Sequence, residues 1–479
     1  MAILASGAFS KIEKPVSRVY HMERDERIDK ALMRERRFME AETAQIVQYP
    51  SEEAQAVLRR LSLRGRIEDD EILTTVREII RQVRKNGDAA VLELTNRLDC
   101  PGAPIRRLRV SDAEIDAAYE SISDELRSAM RLAAENIRRF HERQKASSWF
   151  VEEADGVVLG QYVRPHRRVG VLVPSASAPL FSSLMMAAVT AKAAGVEQVA
   201  AAAAPRRCGT LHPTILAAAR VSGVDELYAC GGAQAVAAMA YGIDSIPRVD
   251  KIVGAGNLYS QLAKKEVFGA VDVDKIAGPS EVLIIADETA DPRYAAADLI
   301  SQAEHLDDCS AVLATDSAEL AQAVKTELAR QTARLPRRKT IEAALKNWGV
   351  LFVVPSMDAA AELSDEIAPE HVEIHAANAH EIAGRLRHAG AVFIGEYTPE
   401  AVGDYAAGPN HILPTGGAAR FSSSMTVFDF IKRSNFLSYT KTALRGMVKP
   451  VETLARAEGL EGHAAAMRVR FLDDLSEDV

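Results

Sequence analysis

Gln302 and His305 lie three residues apart in SQAEH, at the end of a segment whose spacing of Tyr294, Ala297, Leu299 and Ile300 predicts a helix. On one helix face, an amide and an imidazole at that spacing can share a ligand or a metal. Three other segments carry chemistry. Ala368–Pro369–Glu370–His371–Val372 sets a carboxylate beside an imidazole at a helix-to-strand junction. Adjacent residues of extended chain point opposite ways, so these two are expected to serve different atoms rather than to form one pair. Gly403–His411 is a small-residue loop bearing Asp404 and His411, and Glu458 and His463 flank a bend made by Gly459 and Gly462. Together, His305, Asp404, His463 and the Gln302 amide would offer the nitrogen and oxygen donors that zinc accepts, with no thiolate. Taken singly, each histidine has an ordinary alternative as a helix cap or a core hydrogen-bonding group.

The elements that must position these groups follow a repeated theme. An AGPSE loop enters the apolar strand Val282–Ala286, ahead of the helix that ends on Gln302 and His305. Upstream, Val169–Val173 ends in a Pro–Ser–Ala–Ser–Ala–Pro loop before a helix from about Leu180 to Ala194. Strand, small-residue loop and helix then recur to Phe268, and a second such series runs from Ser310 to Ile394. This predicts two doubly wound, mainly parallel α/β domains, with ligands at the carboxyl ends of their strands. The Gly231–Gly232–Ala233–Gln234 and Gly254–Ala255–Gly256–Asn257 turns would let a cofactor approach the backbone, although neither is a GxGxxG. There is no P-loop and no GxSxG, which argues against an NTPase or an α/β hydrolase. Residues 53–98 read as helices broken at Gly87–Asp88, and Ser111 to about Ser147 reads as one further helix. Ser422–Lys432, Lys441–Glu458 and Glu461–Leu475 read as tail helices. The expected units are a leader (1–45), a helical segment (46–150), a first α/β domain on the cofactor side (151–275), a second α/β domain with the zinc-site residues (276–420) and a helical dimerisation tail (421–479).

Composition narrows the field. At about 150 residues per domain, 479 residues make several units with ample core. Charges of both signs are interspersed with a net of −9, so neither a nucleic-acid footprint nor a polybasic membrane patch is expected. Cys100, Cys208, Cys230 and Cys309 are widely separated without metal-finger spacing and read as reduced, mostly buried thiols of a cytoplasmic protein. No apolar run reaches the roughly 18 to 20 residues of a membrane span. Met1–Phe9 lacks a basic region and a cleavage site, so no signal peptide is expected.

Read together, AGPSEVLIIAD, SQAEH, PEH, GDYAAGPNHILPTGGAARFSS and AEGLEGHAAAMRVR resemble the histidinol dehydrogenase family, in one unbroken order from about Gln55 to Leu472. The resemblance implies a zinc-dependent, NAD-linked homodimer that oxidises L-histidinol through the aldehyde to L-histidine, with two Rossmann-like domains and a swapped C-terminal appendage. It implies that Gln302, His305, Asp404 and His463 hold zinc, that His371 is the general base and that Glu370 activates water. Ser280, His411 and Glu458 would contact substrate with the zinc ligands and His371, while Glu458 and His463 would come from the partner chain. Gln234 and Asn257 keep the cofactor-side positions. Two departures fall on the cofactor side: the family's tyrosine–aliphatic–PGG loop is Leu172–Val173–Pro174–Ser175–Ala176, and its GPGN turn has Ala255 for the proline. They leave two further readings: a paralogue acting on another small alcohol such as a sulfonated propanediol, and a catalytically silent zinc-binding dimer.

Overall fold

The computed structural model describes residues 44–64, 70–153, 156–175 and 178–472. The expected leader thus lies outside the described residues up to residue 43, as do Ala176 and the end of the last tail helix.

The chain opens with strand β1 (Gln45–Gln48), then α1 (Glu52–Leu63) and α2 (Asp70–Leu98). Gly87 leaves helical geometry inside α2, at φ 52°, which is the break that its sequence suggested. The single helix expected from Ser111 is two: α3 (Asp112–Ser121) closes, Ser123 accepts a hydrogen bond from Leu126 N as a fresh cap, and α4 (Asp124–Glu142) begins. β2 (Trp149–Glu153) and β3 (Val157–Pro165) follow.

The first parallel sheet is built from β4 (Arg168–Val173), α5 (Phe181–Ala194), β5 (Gln198–Ala203), α6 (Pro213–Ser222), β6 (Glu226–Ala229), α7 (Gly232–Tyr241), β7 (Lys251–Val253), α8 (Leu258–Val267) and β8 (Asp272–Val273). Its strand order is β6-β5-β4-β7-β8. β4 is buried along its whole length, as a strand covered on both faces should be. Val169, Val171 and Val173 enter the core under α4 and α5, while Leu172 enters the one under α2 and α7.

The second sheet uses β9 (Glu281–Ala286), α9 (Pro292–Ala303), β10 (Ser310–Thr315), α10 (Ala318–Thr332), α11 (Arg338–Trp348), β11 (Gly349–Val353), α12 (Met357–Ile367), β12 (His371–His375), α13 (Ala379–Ala383), β13 (Ala391–Ile394) and α14 (Glu400–Tyr405). Its order is β1-β11-β10-β9-β12-β13, again all parallel. Without β1 it repeats the first sheet strand for strand. The 46–150 segment is therefore not purely helical. It gives β1 and α1 to the second sheet and α2 to the first.

The tail also departs from expectation. Within Ser422–Lys432 only a 3-10 turn forms, at Val427–Phe430, and the chain then extends as β14 (Ile431–Tyr439). β14 pairs antiparallel with β3, which pairs in turn with β2. Its apolar residues do not alternate cleanly and most of its side chains are exposed, so a half-buried strand pattern was never present in the sequence. α15 (Lys441–Ala457) and α16 (Glu461–Arg468) close the described chain, packed mainly on each other and on β14.

Candidate active site

A cavity lies where the two parallel sheets meet. The first sheet presents its carboxyl ends there, with Pro174 after β4 and Gly254 after β7, at the point where its strand order reverses. The second sheet presents its amino ends, with Ser280 before β9 and Glu370 and His371 at the start of β12. Only the first sheet thus turns its carboxyl ends to the cavity. Gly254 sits at φ 100°, and a Cβ there would stand 2.4 Å from Leu172 O, so this turn requires glycine.

Glu281, the first residue of β9, organises the acid–base groups. Its backbone O accepts from His371 Nδ1 at 2.9 Å, which places the ring proton on Nδ1 and leaves Nε2 as a bare lone pair. Nε2 is buried without a hydrogen-bond partner among the described residues. Burial also pushes the His371 pKa down, favouring the neutral ring. Glu281 N donates to Glu370 Oε2 at 3.0 Å, and Glu370 N donates to Glu281 Oε2 at 3.3 Å. Burial, then the Glu281 charge, holds the Glu370 carboxyl well above the usual carboxylate range. Arg64, buried at the end of α1, braces this turn by donating to Pro279 O at 2.9 Å, Ser280 O at 2.8 Å and Glu281 Oε1 at 3.2 Å. Contrary to the alternation expected for neighbours, Glu370 and His371 both line the cavity, with Glu370 Oε2 3.7 Å from His371 Nδ1. The reason is that Glu370 precedes the regular strand.

Beside this pair, ligating atoms of His305, Glu400 and Asp404 lie within 4.8 Å of one another. The His305 nitrogen and an Asp404 oxygen are donors that zinc accepts, and Glu400 stands beside them with its carboxylate also facing the Gln302 amide. Burial lowers the His305 pKa, so its ring is offered neutral, as a ligand must be. The helix expected to carry both Gln302 and His305 stops at Ala303, with Glu304 as its cap. His305 therefore stands just past α9 and lines the cavity, whereas Gln302, in the last turn, is fully buried and sits behind the cavity wall. Glu400 Oε1 and Glu281 O both face one end of its amide; with the nitrogen turned to that end, the orientation the two acceptors require, it donates to each at 3.2 Å. His411 also lines the cavity; its Nδ1 donates to Asp404 O at 2.8 Å and its Nε2 meets Ser183 Oγ at 3.2 Å. Asn410 fixes this loop by donating to Met186 O and to Thr190 Oγ1, each at 3.0 Å.

Below the cavity, period-two alternation puts His371, Glu373 and His375 on one face of β12, opposite Val372 and Ile374 in the apolar core. Glu373 Oε1 accepts from Glu400 N at 2.6 Å and so caps α14 from outside, because Pro399 has no side chain to do so. Its other oxygen lies 3.3 Å from His375 Nε2, which is 3.7 Å from Asp298. Burial and then Glu373 push the Asp298 carboxyl up to about 8.

Of the residues singled out in the sequence, the structure gathers Ser280, His305, Glu370, His371, Asp404 and His411 around one cavity, with Gln302 directly behind. Glu458 and His463 are exposed on the tail, and neither lines the cavity nor joins the His305 cluster. Gln234 is buried in the first turn of α7, and the Asn257 side chain caps α8 by accepting from Ser260 N; neither lines the cavity. Glu281, Glu400, Glu373 and Arg64 were missed, although Glu281 stands inside the quoted AGPSE and Glu400 four residues before Asp404. That i, i+4 spacing was the available sign.

The sequence profile of the histidinol dehydrogenase family matches residues 62–471. A histidinol dehydrogenase from Heliobacterium mobile is 47% identical over 426 residues, covering 89% of this chain and 99% of the relative. One from Moorella thermoacetica is 48% identical over 399 residues, 83% of this chain and 94% of its own. The crystal structure of histidinol dehydrogenase from Elizabethkingia anophelis superimposes with a TM-score of 0.84 at 35% identity, covering 90% of this chain and 99% of that one.

Proposed function

The chain belongs to the histidinol dehydrogenase family, and we propose on that basis that it oxidises L-histidinol through the aldehyde to L-histidine with NAD and zinc. It is an oxidoreductase acting on a primary alcohol in histidine biosynthesis. The observation that carries the acid–base part is the His371 ring, whose proton is committed to Glu281 O while a neutral, unpartnered Nε2 remains.

Each residue then has a task. In the first oxidation His371 Nε2 would take the hydroxyl proton as the alcohol carbon gives up hydride, which NAD, when bound, would accept. In the second, Glu370 would take a proton from water as its oxygen adds to the aldehyde carbon, and the hydrate so formed would give up the second hydride. Gln302, His305 and Asp404, with the partner subunit's His463, would hold the zinc. When bound, the ion would supply Lewis acidity and help to orient the amino alcohol. Ser280, His411 and the partner subunit's Glu458 complete the substrate contacts.

The cofactor belongs to the first, Rossmann-like half, over the carboxyl ends of β4 and β7, with Gln234 and Asn257 in the turns beside it. The homodimer reading is supported by the tail, where Met447, Leu454, Leu460 and Val469 form exposed apolar surface on a helix pair with little support from its own chain. The swapped appendage would cover that surface and carry His463 to the other site. The direct test is NADH formation from L-histidinol by the zinc-loaded protein, at two equivalents per substrate. One equivalent with aldehyde release, or turnover only with another alcohol, would overturn it.

A further inference from the structure

A primary amide can turn either its oxygen or its nitrogen toward an ion, and only the oxygen binds a cation. Gln302 therefore needs something to fix its orientation, and two acceptors face one end of its amide, Glu281 O and Glu400 Oε1; two acceptors require the nitrogen there, which with the amide so turned lies 3.2 Å from each. Both amide hydrogens are taken there, and the oxygen is the atom left over. Glu281 O is main chain and already accepts from His371, so Glu400 is the acceptor the side-chain chemistry adds.

Glu400 is itself firmly placed. It is 2% exposed at the start of α14, and its backbone N is held by Glu373 at 2.6 Å. The same short helix carries Asp404, one turn later.

We propose that Glu400 is a positioning residue of the metal site, whose carboxylate takes an amide hydrogen of Gln302 and so directs the Gln302 oxygen to the ion. This rests on the zinc reading above. A partner of this kind, standing behind a metal ligand, is commonly worth about 10- to 100-fold in metal affinity.

The test is a double-variant cycle on the full-length protein, with zinc affinity measured by chelator competition. Glu400→Ala is expected to weaken zinc binding by about 10- to 100-fold. Glu400→Gln should remain within a few-fold of the unaltered protein, because its amide oxygen can accept the same hydrogen. In a Gln302→Ala background, Glu400→Ala should add almost nothing. An equal loss with and without Gln302 would overturn the proposal and make Glu400 a direct ligand. So would Glu400→Gln binding as weakly as Glu400→Ala. Should Glu400→Ala not fold, Glu400→Asp serves in the same cycle, one methylene too short to reach the amide. Failure of the unaltered protein to bind zinc overturns the zinc reading itself, whereas zinc binding unaffected by Glu400→Ala overturns only this inference.

Discussion

Glu281 and Glu370 exchange hydrogen bonds, each backbone N–H donating to the other's carboxylate across the start of β9 and β12. Two acidic side chains can stand this close inside the protein because Arg64 balances one of them, and burial favours the protonated form of the other. Replacing Arg64 by methionine leaves Glu281 buried without its partner. We expect a loss of about 3–5 kcal/mol in denaturant unfolding, the range for breaking a buried pair from one side. A loss below about 1 kcal/mol, the scale of exposed pairs, would show that Arg64 does not hold this turn.

His371 and Glu370 divide the two oxidations. His371→Ala should lower the rate of alcohol oxidation by about 10²- to 10⁴-fold, the usual contribution of a general base. Glu370→Gln should oxidise histidinol to the aldehyde and stall there. Single-turnover NADH bursts started from the alcohol and from the aldehyde distinguish the two. Equal losses in both half-reactions for both variants would contradict the division.

The half-reactions should also respond differently to acid. His371 works as a base only when neutral, and burial lowers its pKa, so alcohol oxidation should persist as pH falls and disappear only below 6.5. Glu370 must be ionised to accept a proton from water, and burial raises its pKa, so the aldehyde step should already fail well above pH 4.5. Rate–pH profiles for the separate steps check both signs. An acid limb above 6.5 for the alcohol, or one at or below 4.5 for the aldehyde, would reverse the assignment.

If each site takes His463 from the partner, two inactive variants can repair each other. In a mixed dimer of His371→Ala and His463→Ala chains, one site carries both changes and the other carries neither. Statistical reassortment should then restore about one quarter of full activity. Recovery near zero after demonstrated subunit exchange would show that each site is complete within one chain.

Much of this arrangement was legible in the sequence where function sits on regular elements. The spacing of Gln302 and His305 pointed to one cluster, although α9 ends at Ala303 and His305 stands just past its Glu304 cap. The segment Gly403–His411 could be picked out by its small residues, although Asp404 lies on α14. What escaped depended on backbone atoms. Glu281 acts largely through its main-chain O and N, and Glu373 caps a helix 27 residues away, so neither leaves a side-chain pattern in local sequence. β14 escaped because its residues lack clean alternation, and the amino-end placement of the second half could not be seen before the two sheets were set against each other.

The segment joining the two sheets has a consequence for anyone seeking to divide the protein. Asp274, Lys275, Ala277, Gly278 and Ser280 all line the cavity, so the linker between halves is also wall. A cut or inserted loop there would breach the pocket even if both pieces kept their folds. The turn at Gly269, five residues before Asp274, stands clear of the cavity with open space around it, and is the better place to split and rejoin the chain.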